Sequence, residues 1–224
     1  RDRGARLTVA SLEIRKSGWL TTIQDAGRWG LQGRGVPVSG PMDWYAHQLA
    51  NRLVGNSAEA SAIESAMGGP EIVFDGDAWF ALTGAEFSAR LNGLPIPGNR
   101  AVRAPAGASL VFGLRSKGAW GYLAVSGGLA VPAVLGSRAT HVVARLGGLA
   151  GRPLRAGDRI EIGPATSTVD ASRRLPPLPL PDGGARLRVL PGPDLNRLPP
   201  GSLERLQATR YVVSPNSDRM GYRL

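Results

Sequence analysis

Two stretches of the chain gather the residue types from which a polar small-molecule site is built. The first runs Thr21-Thr22-Ile23-Gln24-Asp25-Ala26-Gly27-Arg28-Trp29-Gly30 and continues through Gly33-Arg34-Gly35-Val36-Pro37-Val38-Ser39-Gly40-Pro41-Met42-Asp43. Its glycines let the backbone approach a ligand closely and leave N–H groups free for an oxyanion. Asp25 and Arg28 could hold a polar substrate at its two ends. On spacing alone, an Asp–Arg pair that only organises the loop is the stronger reading. The run is no Walker loop, because no Gly-Lys-Ser/Thr follows, and it is a poor dinucleotide fingerprint, because no βαβ pattern surrounds it. The second stretch is Ala62-Ile63-Glu64-Ser65-Ala66-Met67-Gly68-Gly69-Pro70, where Glu64 interrupts small and apolar residues. Such a carboxylate is either exposed on an edge or deliberately buried. Burial raises a carboxyl pKa and suits general acid–base work, whereas a paired structural glutamate is the plainer reading.

Other chemistries find little support. There is no cysteine, so a disulfide scaffold, a thiolate metal site and a Cys nucleophile are excluded. The two histidines, His47 and His141, are too few for most His-based metal sites, and no metal site is expected; His47 reads as a solvated residue on a helix face. Ala124-Val125-Ser126-Gly127-Gly128 comes near a nucleophile elbow but lacks its first glycine and a following helix, so Ser126 reads as a turn residue.

The elements that must carry these residues are mostly strands. Glu71–Phe74, Ala78–Thr83 and Glu86–Leu91 are short apolar or alternating runs split by Gly and Asp. Asn92-Gly93 suits a type I′ hairpin, since both residues tolerate positive φ. Ser109–Leu114 and Ala119–Val125 read as a hairpin around Ser116-Lys117-Gly118, and Asp158–Ile162 as a further strand. One helix interrupts them. Asp43 is its N-cap, Ala46, Leu49, Ala50 and Leu53 make its apolar stripe, and Gly55-Asn56 ends it. Asp43, His47 and Asn51 share its polar face. Residues 1–165 read as a first β domain, 166–185 as a Pro-rich linker, and 186–224 as the opening of a second domain. Strands at Arg186–Leu190 and Tyr211–Ser214 and a short helix near Ser202–Gln207 are expected in that last part. Many short strands at close spacing predict a mainly β barrel or sandwich with few short helices.

The formal net charge is +10, and all 27 basic residues except Lys16 and Lys117 are arginine. They are dispersed, with no run longer than two and few aromatics between them, which fits a compositional bias better than a nucleic-acid surface. No apolar run reaches the length of a membrane span, and the first residues lack a signal peptide's apolar stretch.

Several ordered motifs together resemble the allophanate hydrolase subunit 2 family. They are Gln24-Asp25-x-Gly27-Arg28, Gly35-Val36-Pro37-x-Ser39-Gly40-Pro41-Met42-Asp43, Ala50-Asn51-x-Leu53-Val54-Gly55-Asn56 and Glu64-x4-Gly69-Pro70, followed by Gly84-Ala85, Tyr122-Leu123-Ala124-Val125-x-Gly127-Gly128, Leu135-Gly136-Ser137-Arg138, Gly147-Gly148-x2-Gly151, Leu190-Pro191-Gly192-Pro193 and Ser217-Asp218-Arg219-Met220-Gly221. The family includes the C subunits of 5-oxoprolinase, and the carboxyltransferase domain of urea carboxylase carries a related module. The resemblance implies a cyclophilin-like β architecture and a heteromeric, cytoplasmic hydrolase acting on a C–N bond of a small amide. The partner would be the first subunit of the same enzyme, with ATP in the assembly, no biotin on this chain, and neither nucleic acid nor membrane as partner. The alternative is a regulatory subunit that controls a partner without catalysis of its own. Within the matched motifs, Asp25, Asp43 and Glu64 are the expected catalytic carboxylates. Gln24, Arg28, Asn51 and Arg219 are the expected substrate-binding residues, the two amides meeting an amide's C=O and N–H and Arg28 holding a carboxylate.

Overall fold

The structure is a computed structural model that describes residues 10–177, 179–181, 184, 186–217, 219 and 221–223. It divides into two compact units, Arg1–Asp182 and Gly183–Leu224.

The first unit is a pair of antiparallel sheets. One contains β1 (Ser11–Lys16), β4 (Glu71–Phe74), β6 (Arg90–Leu91), β7 (Leu94–Pro95), β9 (Ser109–Val111) and β11 (Arg159–Glu161), in the order β11-β1-β4-β9-β6-β7. The other contains β2 (Thr21–Gln24), β3 (Ala62–Ala66), β5 (Ala78–Phe87), β8 (Ala101–Ala104) and β10 (Arg115–Val125), in the order β2-β3-β10-β5-β8. Alternation sets the register. In β1 and β4, Leu12 pairs with Phe74 and Ile14 with Ile72, and all four are fully buried. They meet Ile23, Ile63, Phe80 and Leu123 of the second sheet in one core, where Phe74 and Phe80 stack at 5.2 Å. Each such side chain contributes about 1.5–3 kcal/mol on burial.

The outer face of the second sheet is also apolar, and there α1 (Trp44–Leu53) lies. Ala46, Leu49, Ala50 and Leu53 pack on Ala62, Ala81, Tyr122 and Ala124, mostly small strand residues that admit the helix backbone closely. Asp43 caps it as the sequence implies, accepting from the Ala46 N–H at 2.9 Å. The Asn92-Gly93 turn also follows the sequence. Leu91 pairs with Leu94, and the two turn residues hold φ of +50° and +79°.

Two local expectations are corrected. The runs Ala78–Thr83 and Glu86–Leu91 are not separate strands divided at Gly84-Ala85; β5 passes through that point to Phe87. Ser109–Leu114 and Ala119–Val125 do not form a hairpin, because β9 pairs with β4 and β6 in one sheet while β10 pairs with β3 and β5 in the other. Gly113, at φ +70°, lies where the chain crosses between sheets.

The second unit contains α2 (Ser202–Ala208) and a 3-10 turn at Leu195–Arg197. The strands expected at 186–190 and 211–214 pair with no other strand among the described residues. Most of the Pro-rich stretch lies within the first unit, where the Tyr45 hydroxyl donates to the Pro176 carbonyl and Ser167 Oγ to the Gly55 carbonyl. No helix among the described residues is long and apolar enough to cross a membrane.

Candidate functional site

The loop that follows β2 is clasped to the 134–148 segment by polar side chains turned inward. Asp25 accepts from the Gly27 N–H at 2.9 Å, the Ser137 hydroxyl at 2.5 Å and the Arg138 N–H at 2.5 Å. Arg28 is 1% exposed. Its Nε donates to the Val134 carbonyl at 3.0 Å, its Nη2 to the carbonyls of Ser137 and Ala139, and its Nη1 to Ser39 Oγ at 3.5 Å. Burial lowers the guanidinium pKa, and the Asp25 charge partly offsets that. Gly147 closes against this side chain at φ +64°; a Cβ there would collide with Arg28 Nη2 and the Ala139 carbonyl. Gln24, fully buried, donates to Thr22 Oγ1 at 2.9 Å and the Thr140 carbonyl at 3.2 Å, and accepts from the Gly40 N–H at 3.2 Å.

Beside this clasp lies a second buried network. Glu64, fully buried in the middle of its sheet, faces Tyr122 across the β3–β10 ladder. Its Oε2 accepts from the Tyr122 hydroxyl at 2.8 Å and from the Met42 N–H at 2.8 Å. The Tyr122 oxygen in turn accepts from the Asp43 N–H at 2.7 Å. Burial drives the Tyr122 pKa well above its ordinary value, so the hydroxyl stays protonated and donates. The network therefore pins the start of α1, Met42 and Asp43, to the sheet. Of the two sequence readings of Glu64, burial is the one the fold adopts.

His47 joins the two networks. The sequence reading of a solvated residue is corrected: His47 is fully buried between α1 and β2. Its Nε2 lies 3.3 Å from the Gln24 carbonyl and 3.5 Å from Asn51 Nδ2, and its ring meets Tyr122 edge-on at 5.8 Å. The carbonyl can only accept, so a hydrogen bond between the two is one in which Nε2 donates. Burial depresses the His47 pKa, and the Gln24 carbonyl and Asp25 oppose that shift. Asn51 donates to the Ala60 carbonyl at 2.9 Å and accepts from Asn56 Nδ2 at 3.0 Å.

The structure thus brings Gln24, Asp25, Arg28 and Asn51 together, linked through His47, with Asp43 and Glu64 joined by Tyr122. The arginine and the two amides spend their hydrogen bonds on protein groups, chiefly backbone carbonyls. In this geometry they hold loops in place, and Arg28 offers no free fork to a carboxylate. Asp43 is only half-buried and is the most accessible of the three carboxylates. Arg219 belongs to the second unit, where burial lowers its pKa to about 10. Tyr122 stands in a matched motif but is not among the site residues the sequence predicts. The signal was its position opposite Glu64, which only the β3–β10 pairing reveals. Among the described residues no group of three or more His, Asp or Glu side chains is placed to hold a metal ion.

A family model described as carboxyltransferase domain, subdomain A and B, matches residues 34–224. The chain belongs to this carboxyltransferase-domain family. It is 38% identical over 213 residues to the C subunit of 5-oxoprolinase from Escherichia coli, covering 95% of this chain and 68% of that protein. It is 36% identical over 224 residues to urea amidolyase of Saccharomyces cerevisiae, covering 96% of this chain and 12% of that protein. Among solved structures, TTHA0988 superposes with a TM-score of 0.86 at 36% identity, covering 96% of this chain and 42% of the other. Urea amidolyase of Kluyveromyces lactis superposes at 0.83 with 29% identity, covering 98% and 14%. The mainly β architecture with few short helices is therefore that of carboxyltransferase-type domains. The chain spans about two thirds of the bacterial relative and a small part of the amidolyases.

Proposed function

We propose that this protein is a subunit of a heteromeric amide-processing enzyme of the 5-oxoprolinase or allophanate hydrolase type. The reaction is ATP-dependent ring opening of 5-oxoproline, or amide hydrolysis or carboxyl transfer on a urea-like substrate, carried out with the first subunit of the same enzyme. One observation carries the reading: the likeness to the Escherichia coli 5-oxoprolinase protein extends through two thirds of its length, whereas the amidolyases match only in one module. Amide resonance makes the carbonyl a poor electrophile, and ATP would supply the driving force for opening it. The loop residues do not fit a triphosphate. No Lys follows the loop glycines, and Arg28 is turned onto carbonyls. This loop is therefore not assigned as the ATP site.

On this chain, Asp43 is assigned as the base toward water, held by its cap and by the Tyr122–Glu64 pair. Asp25 and Glu64 position the loop and the helix start. The test is a substrate panel with the full-length protein co-expressed with its first subunit. 5-Oxoproline, allophanate and urea are each offered with ATP, and the release of phosphate and of ammonia is followed. Turnover of one amide only when both subunits are present is the expected result. A complex that assembles, alters the partner's own activity and turns over none of them would favour the regulatory reading instead.

A further inference from the structure

Between Val134 and Ser137 the chain reverses through a two-residue turn. The flanking residues pair as an antiparallel bridge, with N–H to carbonyl distances of 2.8 and 3.3 Å. Leu135 and Gly136 between them hold φ of +52° and +80°, both positive as in the Asn92-Gly93 turn. Left-handed backbone at the first of these positions favours Asn, Asp or Gly, and a bulky apolar residue is out of place there. Leu135 nonetheless occupies it, with 54% of its surface exposed. One leucine thus bears both an unfavoured backbone and solvent exposure, the pattern of a side chain presented to something outside the fold.

The turn is held on both sides by the loop clasp. Arg28 Nε donates to the Val134 carbonyl at 3.0 Å, and Asp25 accepts from the Arg138 N–H at 2.5 Å. Trp29, next to Arg28, is 62% exposed, and its Nε1 donates to the Ala26 carbonyl at 2.8 Å, which fixes the ring at the surface. Gly147 closes on the Arg28 side chain at the foot of the neighbouring turn. There His141 pairs with Leu146, and Val143 between them is 84% exposed. One set of linked loops therefore presents three large apolar side chains to solvent.

The charge on these loops has one sign. No Asp or Glu occurs from Ala26 to Met42 or from Leu129 to Gly157. Arg34 and Arg145, both exposed, make no ion pair among the described residues. Tryptophan and arginine on a preordered surface are the composition of interface hot spots. A second copy meeting the same face would set arginine against arginine, so the charge selects an acidic partner. We infer that these loops are a docking surface for the first subunit, which meets them with an apolar pocket for Leu135 and acidic side chains opposite Arg34 and Arg145. The inference rests on the heteromeric reading above for the identity of the partner. It also gives the buried Arg28 and Asp25 a role, which is to hold the docking loops in shape.

The test is the affinity of the full-length protein for its purified first subunit, read by isothermal titration calorimetry, with hydrogen exchange mapping the protected face. Leu135→Asn gives the turn a residue its backbone favours and removes the apolar anchor. It should weaken association about tenfold or more while the melting temperature is unchanged or higher. Arg34→Glu should weaken association and flatten its dependence on salt between about 50 and 200 mM. Protection on binding should map to the loops at 29–36 and 134–146. Full affinity in either variant, protection elsewhere, no complex with the wild type, or protection of this face by duplex DNA and not by the first subunit would each overturn the inference. Amide turnover by a complex joined elsewhere on this protein would sink this inference and leave the proposed function standing. A complex joined here that turns over no amide would do the reverse.

Discussion

Replacing Arg28 by lysine separates a loop anchor from a substrate contact. The guanidinium spans the carbonyls of Val134, Ser137 and Ala139 from two different nitrogens. A lysine ammonium is one point charge on a shorter reach and can serve one of these positions, leaving two carbonyls without their charged donor. A hydrogen bond to a charged group contributes about 1.5–3 kcal/mol, so the change should cost about 3 kcal/mol or more. For a chain of this size each kcal/mol lowers the melting temperature by about 2–4 °C, which gives a fall of about 6–12 °C. Thermal unfolding by circular dichroism reads the shift, and turnover per folded molecule in the assembled enzyme reads the rest. The anchor account expects lost stability with activity per folded molecule nearly kept. A melting temperature within about 2 °C of wild type, joined to a large loss of turnover, would refute the reasoning and return Arg28 to the substrate.

Three further outcomes follow from the same networks. His47 is held neutral by burial, so its folded pKa lies below the unfolded value. The unfolded chain then binds more protons between those two values, and stability is full above about pH 6.5 and falls as the pH drops toward the folded pKa, by at most about 1.4 kcal/mol per pH unit; melting curves from pH 8 to pH 5 check this, and His47→Gln should flatten that window. Tyr122→Phe removes the hydroxyl that bridges Asp43 N–H and Glu64, and should cost about 1–3 kcal/mol in urea unfolding, with hydrogen exchange rising at Met42 and Asp43; an unchanged midpoint would contradict the network. Asp43→Asn keeps a capping oxygen and removes the base, so the melting temperature should hold while turnover falls about a hundredfold or more; equal activity would remove Asp43 from the chemistry.

What the sequence revealed and what it hid divide along the range of the interactions. The α1 cap at Asp43, the apolar stripe from Ala46 to Leu53 and the Asn92-Gly93 turn are set within a few residues, and each was legible. Glu64 announced itself as a carboxylate among apolar neighbours, but its partner Tyr122 lies 58 positions away and is paired by sheet register. Arg28 and Asp25 looked like a local pair. Their partners sit more than a hundred positions on, in the 134–139 segment, so spacing could not show that both side chains point inward. Strands β9 and β10 are adjacent in sequence yet enter different sheets, which period-two alternation cannot distinguish. The burial of His47 is not visible in the sequence, because a helix face that looks polar packs on the Gln24 carbonyl at the end of β2 and not on water.

The most direct test of the account is an omission experiment on the assembled enzyme. Phosphate released from ATP in response to 5-oxoproline, and ammonia released from allophanate, are measured for the full set of subunits, and again with this protein left out and then added back. The account predicts amide-dependent turnover only when this protein is present, restored in proportion to the amount added until the complex is saturated. Turnover by the partner alone at an undiminished rate, or a complete complex that hydrolyses no amide, would contradict it.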